Sequence, residues 1–130
     1  MENSPIEAQK TVELVGCGVD RVREAKVLEY NTSAIEYDRF MRLSTVAEYV
    51  NRLKLEEDTL ILDVGGFDGA FALFVPDLRV WVIDPQTTGG SGLTIPFPDK
   101  HFDVVVSIDA LEHLPRRDRP TLLKELVRVA

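Results

Sequence analysis

Two acidic residues separated by a glycine-rich segment form the part of this sequence most suited to ligand chemistry. Asp63 lies near the end of a short apolar run, and Asp84 stands about 20 residues further on. Between them lie three closely spaced glycines: Gly65, Gly66 and Gly69. Glycines free the backbone to turn sharply and to approach a ligand closely. A carboxylate at the spacing of Asp84 can accept hydrogen bonds from ribose hydroxyls beside such a turn. The spacing predicts a site for a nucleotide-like ligand, although Asp84 could instead serve only as a turn residue.

Three apolar runs predict the strands that would position these residues. They cover residues 59–64, 79–84 and 102–108. Each run is short and rich in branched side chains, which is typical of buried parallel strands. A short helix is expected after the glycines, because Pro76 cannot lie inside it, and an amphipathic helix is expected over residues 120–129. The alternation predicts an α/β fold, with a Rossmann-like parallel sheet and flanking helices.

The segment before the first strand has a different pattern. Residues 20–30 favour a helix, because their apolar side chains fall roughly on one face. Residues 44–55 give the clearest helical pattern in this half, with Ser44 as the expected N-cap. Together these patterns predict an N-terminal helical cap over residues 1–58.

Composition argues against several classes of partner. The chain has 130 residues and a formal net charge of -7, which disfavours nucleic acid or an anionic membrane surface as a partner. Cys17 is the single cysteine, so no internal disulfide can form. No apolar run approaches the roughly 20 residues that span a bilayer, and residues 1–5 lack the pattern of a signal peptide. We expect a cytoplasmic protein without a metal ion, since no set of histidine, cysteine and carboxylate residues has metal-ligand spacing.

Four motifs in order resemble those of the class I S-adenosylmethionine-dependent methyltransferases. They are LDVGGFDG at residues 62–69, VID at 82–84, IPFPDKHFDVVVS at 95–107 and LEHLP at 111–115, followed by LVRV at 126–129. The resemblance implies that residues 59–130 form the cofactor-binding, Rossmann-like half of a methyltransferase domain, with S-adenosylmethionine as the small-molecule cofactor. The usual third strand barely fits between Asp84 and Ile95, and the later strands of the family do not occur before Ala130. The expected architecture is therefore an incomplete class I methyltransferase fold.

The resemblance also implies roles for particular residues. The implied cofactor-binding residues are Asp63, Gly65, Gly66, Phe67, Gly69, Asp84, Pro85 and Ser107, with Asp63 below the amino acid portion of the cofactor and Asp84 at the ribose. The implied substrate-side residues are Asp109, Glu112 and His113. His113 could equally be a capping or hydrogen-bonding residue. No catalytic base is assigned, because the sulfonium is already activated and the protein mainly has to align an acceptor, whose identity the sequence does not indicate.

Two other functions stay open at this point. A non-catalytic methyltransferase-like module that binds a partner or regulates a neighbouring domain is favoured by Phe67, which stands where the family has glycine. A nicotinamide-dependent oxidoreductase is the third possibility, although it would not predict the motifs after residue 94. The valine-rich run at 102–108 could also form an open sheet edge, and such edges invite pairing with another chain. We therefore expect a homodimer through this edge.

Overall fold

The computed structural model describes residues 10–130, in which five strands form one mixed sheet flanked by helices. Residues 1–9, including the segment considered for a signal peptide, lie outside the described part. The strands are β1 (Val12–Gly16), β2 (Arg23–Val27), β3 (Leu60–Val64), β4 (Arg79–Ile83) and β5 (Val104–Val106). The helices are α1 (Tyr37–Arg52), α2 (Arg119–Val129) and three short 3-10 turns at Ala70–Phe74, Leu111–His113 and Arg116–Asp118. The strand order is β1-β2-β4-β3-β5.

The expected α/β, Rossmann-like architecture is confirmed. β3 lies between β4 and β5 and pairs in parallel with both. Side chains alternate across it, so that Ile61 packs on the face covered by α1 whereas Leu62 packs on the face covered by α2. Because both faces of these strands are covered, their sequences contain almost continuous apolar runs.

The N-terminal segment differs from the expectation. The helix predicted over residues 20–30 is wrong, because β1 and β2 form an antiparallel hairpin and β2 also pairs antiparallel with β4. Gly18 and Arg21 have left-handed backbone angles, with φ of 85° and 64°, and bend the chain between the two strands. The edge of β4 offers hydrogen bonds to β2, and this pairing outweighs a weak helical periodicity.

The hairpin extends the sheet beyond β4, which would be an edge strand without it. Residues 85–103 contain no strand, so the segment between Asp84 and Ile95 is the loop that its length indicated. A mixed sheet therefore replaces the fully parallel sheet of the prediction. β5 lies at the opposite edge and is shorter than the predicted run at 102–108. The pairing of two copies through β5 stays a prediction.

The long helix of the N-terminal part begins earlier than its pattern suggested. α1 starts at Tyr37 after Glu36, and Ser44 lies inside the helix, where its hydroxyl donates to the carbonyl oxygen of Met41. The prediction of Ser44 as an N-cap is wrong for this reason. The division of the chain at residue 58 stays a prediction. Neither α1 nor α2, nor any shorter helix in residues 10–130, is long and apolar enough to cross a membrane.

Candidate functional site

A cavity of about 560 Å³ lies at the carboxyl ends of the three parallel strands. Gly65 follows β3, Asp84 follows β4 and Asp109 follows β5, and all three residues line the cavity. The carboxyl edge of a parallel sheet is where open α/β folds bind their ligands, and the volume is in the usual range for a small molecule. The structure thus supplies a ligand-sized space at the place that the sequence indicated.

The predicted site residues divide into two groups according to this cavity. Those that line it are Gly65, Phe67, Asp84, Pro85, Asp109 and His113. Those that do not are Asp63, Gly66, Gly69, Ser107 and Glu112. The other lining residues, which the motifs did not single out, are Arg39, Val64, Gln86, Ser91, Gly92, Leu93, Ala110, Leu114 and Leu122. A ligand in the cavity would touch the first group directly, whereas most of the second group lie beneath or behind the wall.

The Asp84 carboxylate ties the glycine turn to the loop that follows β4. Its Oδ2 accepts a hydrogen bond of 3.0 Å from the backbone N–H of Phe67. Its Oδ1 accepts from the N–H groups of Gln86, at 2.8 Å, and Thr87, at 3.3 Å. A carboxylate offers about four lone-pair positions, so acceptor capacity is left for a ligand hydroxyl. Asp84 therefore acts as a turn residue, and its position in the cavity wall is also compatible with the predicted ribose contact.

Asp63 lies directly under the glycine turn and is 1% exposed. Its Oδ2 has no hydrogen-bond partner among the described residues. Burial raises the pKa of this carboxyl to about 7, against the opposing charge of Arg39 and with a smaller contribution from the neighbouring Asp84. A Cβ atom added at Gly66 would lie 2.5 Å from Asp63 Oδ2, so only glycine fits above the carboxyl group. Gly66 is needed for this close contact.

The other two glycines bring neighbouring segments together. Gly65 has a φ of 79°, and a Cβ there would lie 2.8 Å from the Cβ of Ala110, in the loop after β5. Gly69 also has a φ of 79°, and a Cβ there would lie 2.9 Å from the Cβ of Ala25 in β2. Gly65 thus lets two loops of the cavity wall meet, whereas Gly69 lets the N-terminal hairpin pack against the turn.

Phe67 forms part of the cavity wall in a strained conformation. Its φ is 50°, a left-handed value that is costly for a bulky residue, and its side chain is 45% exposed. The hydroxyl of Thr87 donates to its carbonyl oxygen at 2.6 Å. The guanidinium of Arg39 lies 5.8 Å from the centre of the Phe67 ring, which is within the range of a cation–π contact. Backbone hydrogen bonds and this contact together hold Phe67 in the left-handed conformation.

The sequence motifs did not indicate the contribution of α1 to the site. Arg39 lines the cavity, and its two terminal nitrogens donate to the Asp68 carboxylate at 2.8 and 3.2 Å. Arg42, one turn further, donates through Nε to Asp109 Oδ2 at 3.2 Å, and the same nitrogen lies 2.9 Å from Oδ1. A sequence prediction that started the helix at Tyr37 would have shown that Arg39 and Arg42 lie close together, since positions three apart are neighbours on a helix. The pattern gave no sign of which side of the sheet they would face.

The remaining predicted residues surround the loop after β5. The hydroxyl of Ser107 is buried without a hydrogen-bond partner in the described part of the chain. His113 is exposed, and its Nε2 lies 3.8 Å from Glu112 Oε1. Within residues 10–130, no three histidine, cysteine, aspartate or glutamate side chains are grouped so that they could hold a metal ion. Of these three residues only His113 lines the cavity, and the part of the chain that the structure describes holds no preassembled metal-binding cluster beside it.

The chain belongs to the methyltransferase domain family, which it matches over residues 14–130. The match includes most of the N-terminal hairpin as well as the glycine turn. Ajmaline N-methyltransferase from Rauvolfia serpentina is 46% identical over 41 residues, which is 32% of this chain and 13% of that protein. The chain therefore corresponds to a small part of the curated relative. No solved structure gives a significant match.

Proposed function

We propose that this chain binds S-adenosylmethionine in the cavity and forms the cofactor-binding part of a methyltransferase. The observation that carries the proposal is the position of Asp84, in the cavity wall beside a glycine turn, in a chain of the methyltransferase domain family. The ribose of the cofactor would take the acceptor capacity left on the Asp84 carboxylate. Neither the cofactor nor the acceptor follows from the family alone.

The residues present fit this cofactor in two further respects. Pro85, Leu93 and Leu114 give one part of the wall an apolar character, which suits a flat base. Gly92 lets the loop after β4 pack closely on the core there, because a Cβ at this position would lie 2.7 Å from side-chain atoms of Leu122 and Val64. Asp63 lies under the glycine turn, where the family resemblance would place the amino acid portion of the cofactor.

Arg39 extends the proposal beyond the sequence motifs. It is the one lysine or arginine among the lining residues in the described part of the chain. A carboxylate in the cavity would compete with Asp68 for its guanidinium, so Arg39 is our candidate partner for the carboxylate of the cofactor. When bound, S-adenosylmethionine supplies a methyl group already activated by the sulfonium. The chain then has to hold the cofactor and exclude water, and Asp109 and His113 border the side from which an acceptor would approach.

A non-catalytic module remains the second candidate. Phe67 places a bulky side chain in the cavity wall where the family has glycine. Arg39 already has a carboxylate partner in Asp68, so it is less available to a ligand. The curated relative is named for methylation at nitrogen, but only 13% of its length is covered, so an amine acceptor is no more than a class to test first. Transfer of a methyl group by the full-length natural protein would exclude an inert module.

Calorimetry with S-adenosylhomocysteine tests the binding proposal. We expect saturable binding to the folded chain, and a loss of about 1–3 kcal/mol in Asp84→Asn, which keeps the shape of the side chain but removes its charge. Asp77→Asn is the matched control, because Asp77 is exposed and far from the cavity wall. Absence of binding at millimolar ligand, with circular dichroism showing a folded chain, would refute the proposal. Saturable NADH binding instead would favour the oxidoreductase.

A further inference from the structure

The outer side of α1 carries a row of exposed apolar residues. Tyr37 is 72% exposed, Met41 44% and Tyr49 66%. Leu53, which follows the helix with helical backbone angles, is 61% exposed. These residues, with Thr45 between Met41 and Tyr49, are each four positions apart and so lie next to one another on the helix surface. We call this row the α1 stripe.

The α1 stripe is separate from the face by which the helix joins the core. Leu43, Ala47 and Val50 are buried against the sheet and supply that face. The hydroxyl of Thr45 donates to the carbonyl oxygen of Met41 at 2.7 Å, so its hydrogen-bonding need is met within the helix. Single exposed apolar residues are ordinary, but a continuous row of large ones marks an interaction surface. Tyrosine and methionine are also enriched in such surfaces.

Charged residues near both ends of the α1 stripe indicate what it would contact. Asp38 lies seven positions before Thr45 and Arg52 seven positions after it. Since a helix turns about 100° per residue, both project within about 20° of the direction of Thr45. Asp38 has no ion pair within residues 10–130. Arg52 pairs with the exposed Glu48 of its own helix, and its guanidinium lies 5.7 Å from the centre of the Tyr49 ring in the stripe. The acid and the base are therefore placed symmetrically about the centre of the stripe.

We infer that the α1 stripe is the interface of a homodimer in which two α1 helices pack antiparallel about a twofold axis near Thr45. In this arrangement Asp38 of each copy meets Arg52 of the other, so both ends of the interface carry opposite charges. A parallel arrangement would instead bring like charges together at each end. An isologous contact of this kind requires one self-complementary surface, which the stripe supplies. Its small extent indicates a weak, concentration-dependent dimer rather than an obligate one.

Sedimentation equilibrium over a range of protein concentrations tests the apolar part of the interface. The unmodified chain should approach twice the monomer mass as its concentration rises. The double variant Met41→Glu, Tyr49→Glu should raise the dissociation constant by at least about tenfold, while its circular dichroism shows an unchanged helix content. Leu123→Glu is the matched control, because Leu123 is 51% exposed on α2 and outside the stripe. It should leave the dissociation constant unchanged.

Charge reversal tests the antiparallel geometry independently. Asp38→Arg and Arg52→Asp should each weaken self-association, because each variant alone faces like charges at both ends. An equimolar mixture of the two variants should restore the dimer, since a heterodimer has opposite charges at both ends. A mixture no more associated than its components would overturn the antiparallel interface. A monomeric unmodified chain, or a dimer that survives Met41→Glu, Tyr49→Glu, would overturn the role of the α1 stripe; a surviving dimer would point to the β5 edge.

Discussion

The guanidinium of Arg39 makes two hydrogen bonds to the carboxylate of Asp68, at 2.8 and 3.2 Å, and thereby joins α1 to the loop that follows β3. Paired bonds between arginine and a carboxylate fix orientation as well as distance. Asp68 Oδ1 also accepts from the backbone N–H of Ala70, at the start of the short helix Ala70–Phe74. One carboxylate therefore orders both the glycine turn and an arginine of the cavity wall.

A double-mutant cycle should reveal this connection in stability. Arg39→Gln and Asp68→Asn each remove the ion pair, and asparagine keeps an oxygen for the N–H of Ala70. We expect a coupling free energy of about 0.5–1 kcal/mol from urea unfolding, since the Arg39 side chain is only 24% exposed. The exposed pair Glu48 and Arg52 serves as the control and should show less coupling. A coupling no larger than that of the control would contradict the prediction.

The buried carboxyl of Asp63 should make stability depend on pH. Burial raises its pKa from 3.8 to about 7, so the folded chain keeps a proton that the unfolded chain releases. Because the folded state binds more protons in this interval, this group should lower stability as pH rises from about 4 to about 7, with no further change above. The whole effect is at most about 4 kcal/mol, since one pKa unit corresponds to about 1.4 kcal/mol.

Comparison of Asp63→Asn with the unmodified chain isolates this effect from that of other carboxyl groups. The variant cannot ionise at this position, so its free energy of unfolding should decline less between pH 4.5 and 8. Asp77→Asn, at an exposed position, should follow the unmodified chain. Parallel profiles for Asp63→Asn and the unmodified chain would show that Asp63 has an ordinary pKa.

The left-handed backbone at Phe67 leads to a prediction about two small substitutions. Glycine adopts a φ of 50° without strain, whereas alanine keeps a penalty of roughly 1–2 kcal/mol. Both substitutions lose the ring and its contact with Arg39. Phe67→Gly should therefore be more stable than Phe67→Ala by about 1 kcal/mol in denaturant unfolding, after the greater flexibility of glycine in the unfolded chain is counted. Equal stability would mean that the strain is relieved in solution.

Gly90 provides a test of how the hairpin turn packs against the end of β4. A Cβ at Gly90 would lie 2.5 Å from Cγ1 of Ile83 and 2.6 Å from the carbonyl oxygen of Arg21. Gly90→Ala should therefore lower the free energy of unfolding by about 1–3 kcal/mol. Gly16→Ala is the control, because nothing lies within 4 Å of the added atom and its φ is not positive. Thermal unfolding of both variants measures this difference. Equal stability of Gly90→Ala and Gly16→Ala would mean that the packing around Gly90 is loose.

The parallel half of the sheet could be predicted because its evidence is local. The apolar runs at β3 and β4 are buried on both faces, and the glycines between them allow few alternatives to a turn. The same reasoning placed Asp84 correctly at the carboxyl edge, since that position depends only on strand length. The family match then confirmed the class of domain, which the ordered motifs had indicated.

The hairpin could not be predicted in the same way. Arg23 and Glu24 of β2 pair with β4 in the sheet, and this pairing leaves no mark in the sequence of β2 itself. Glu24 is buried beside Arg79 of β4, and a charged residue of this kind gives no local sign of burial before its partner is known. Arg39 was missed for a related reason: its place in the cavity depends on how α1 crosses the sheet, which helical periodicity does not determine.

The pairing of β2 with β4 has a consequence for the order in which the chain can fold. β1 and β2 are made first and can pair locally, but the strand that completes their place in the sheet ends at Ile83. During synthesis the hairpin therefore keeps one edge unpaired until β4 has been made. Contacts of such long sequence separation slow folding, and exposed strand edges promote association of nascent chains. The strand with this unpaired edge, β2, carries three charged residues: Arg23, Glu24 and Lys26. Charged residues on an exposed edge would discourage its pairing with another chain before β4 is made.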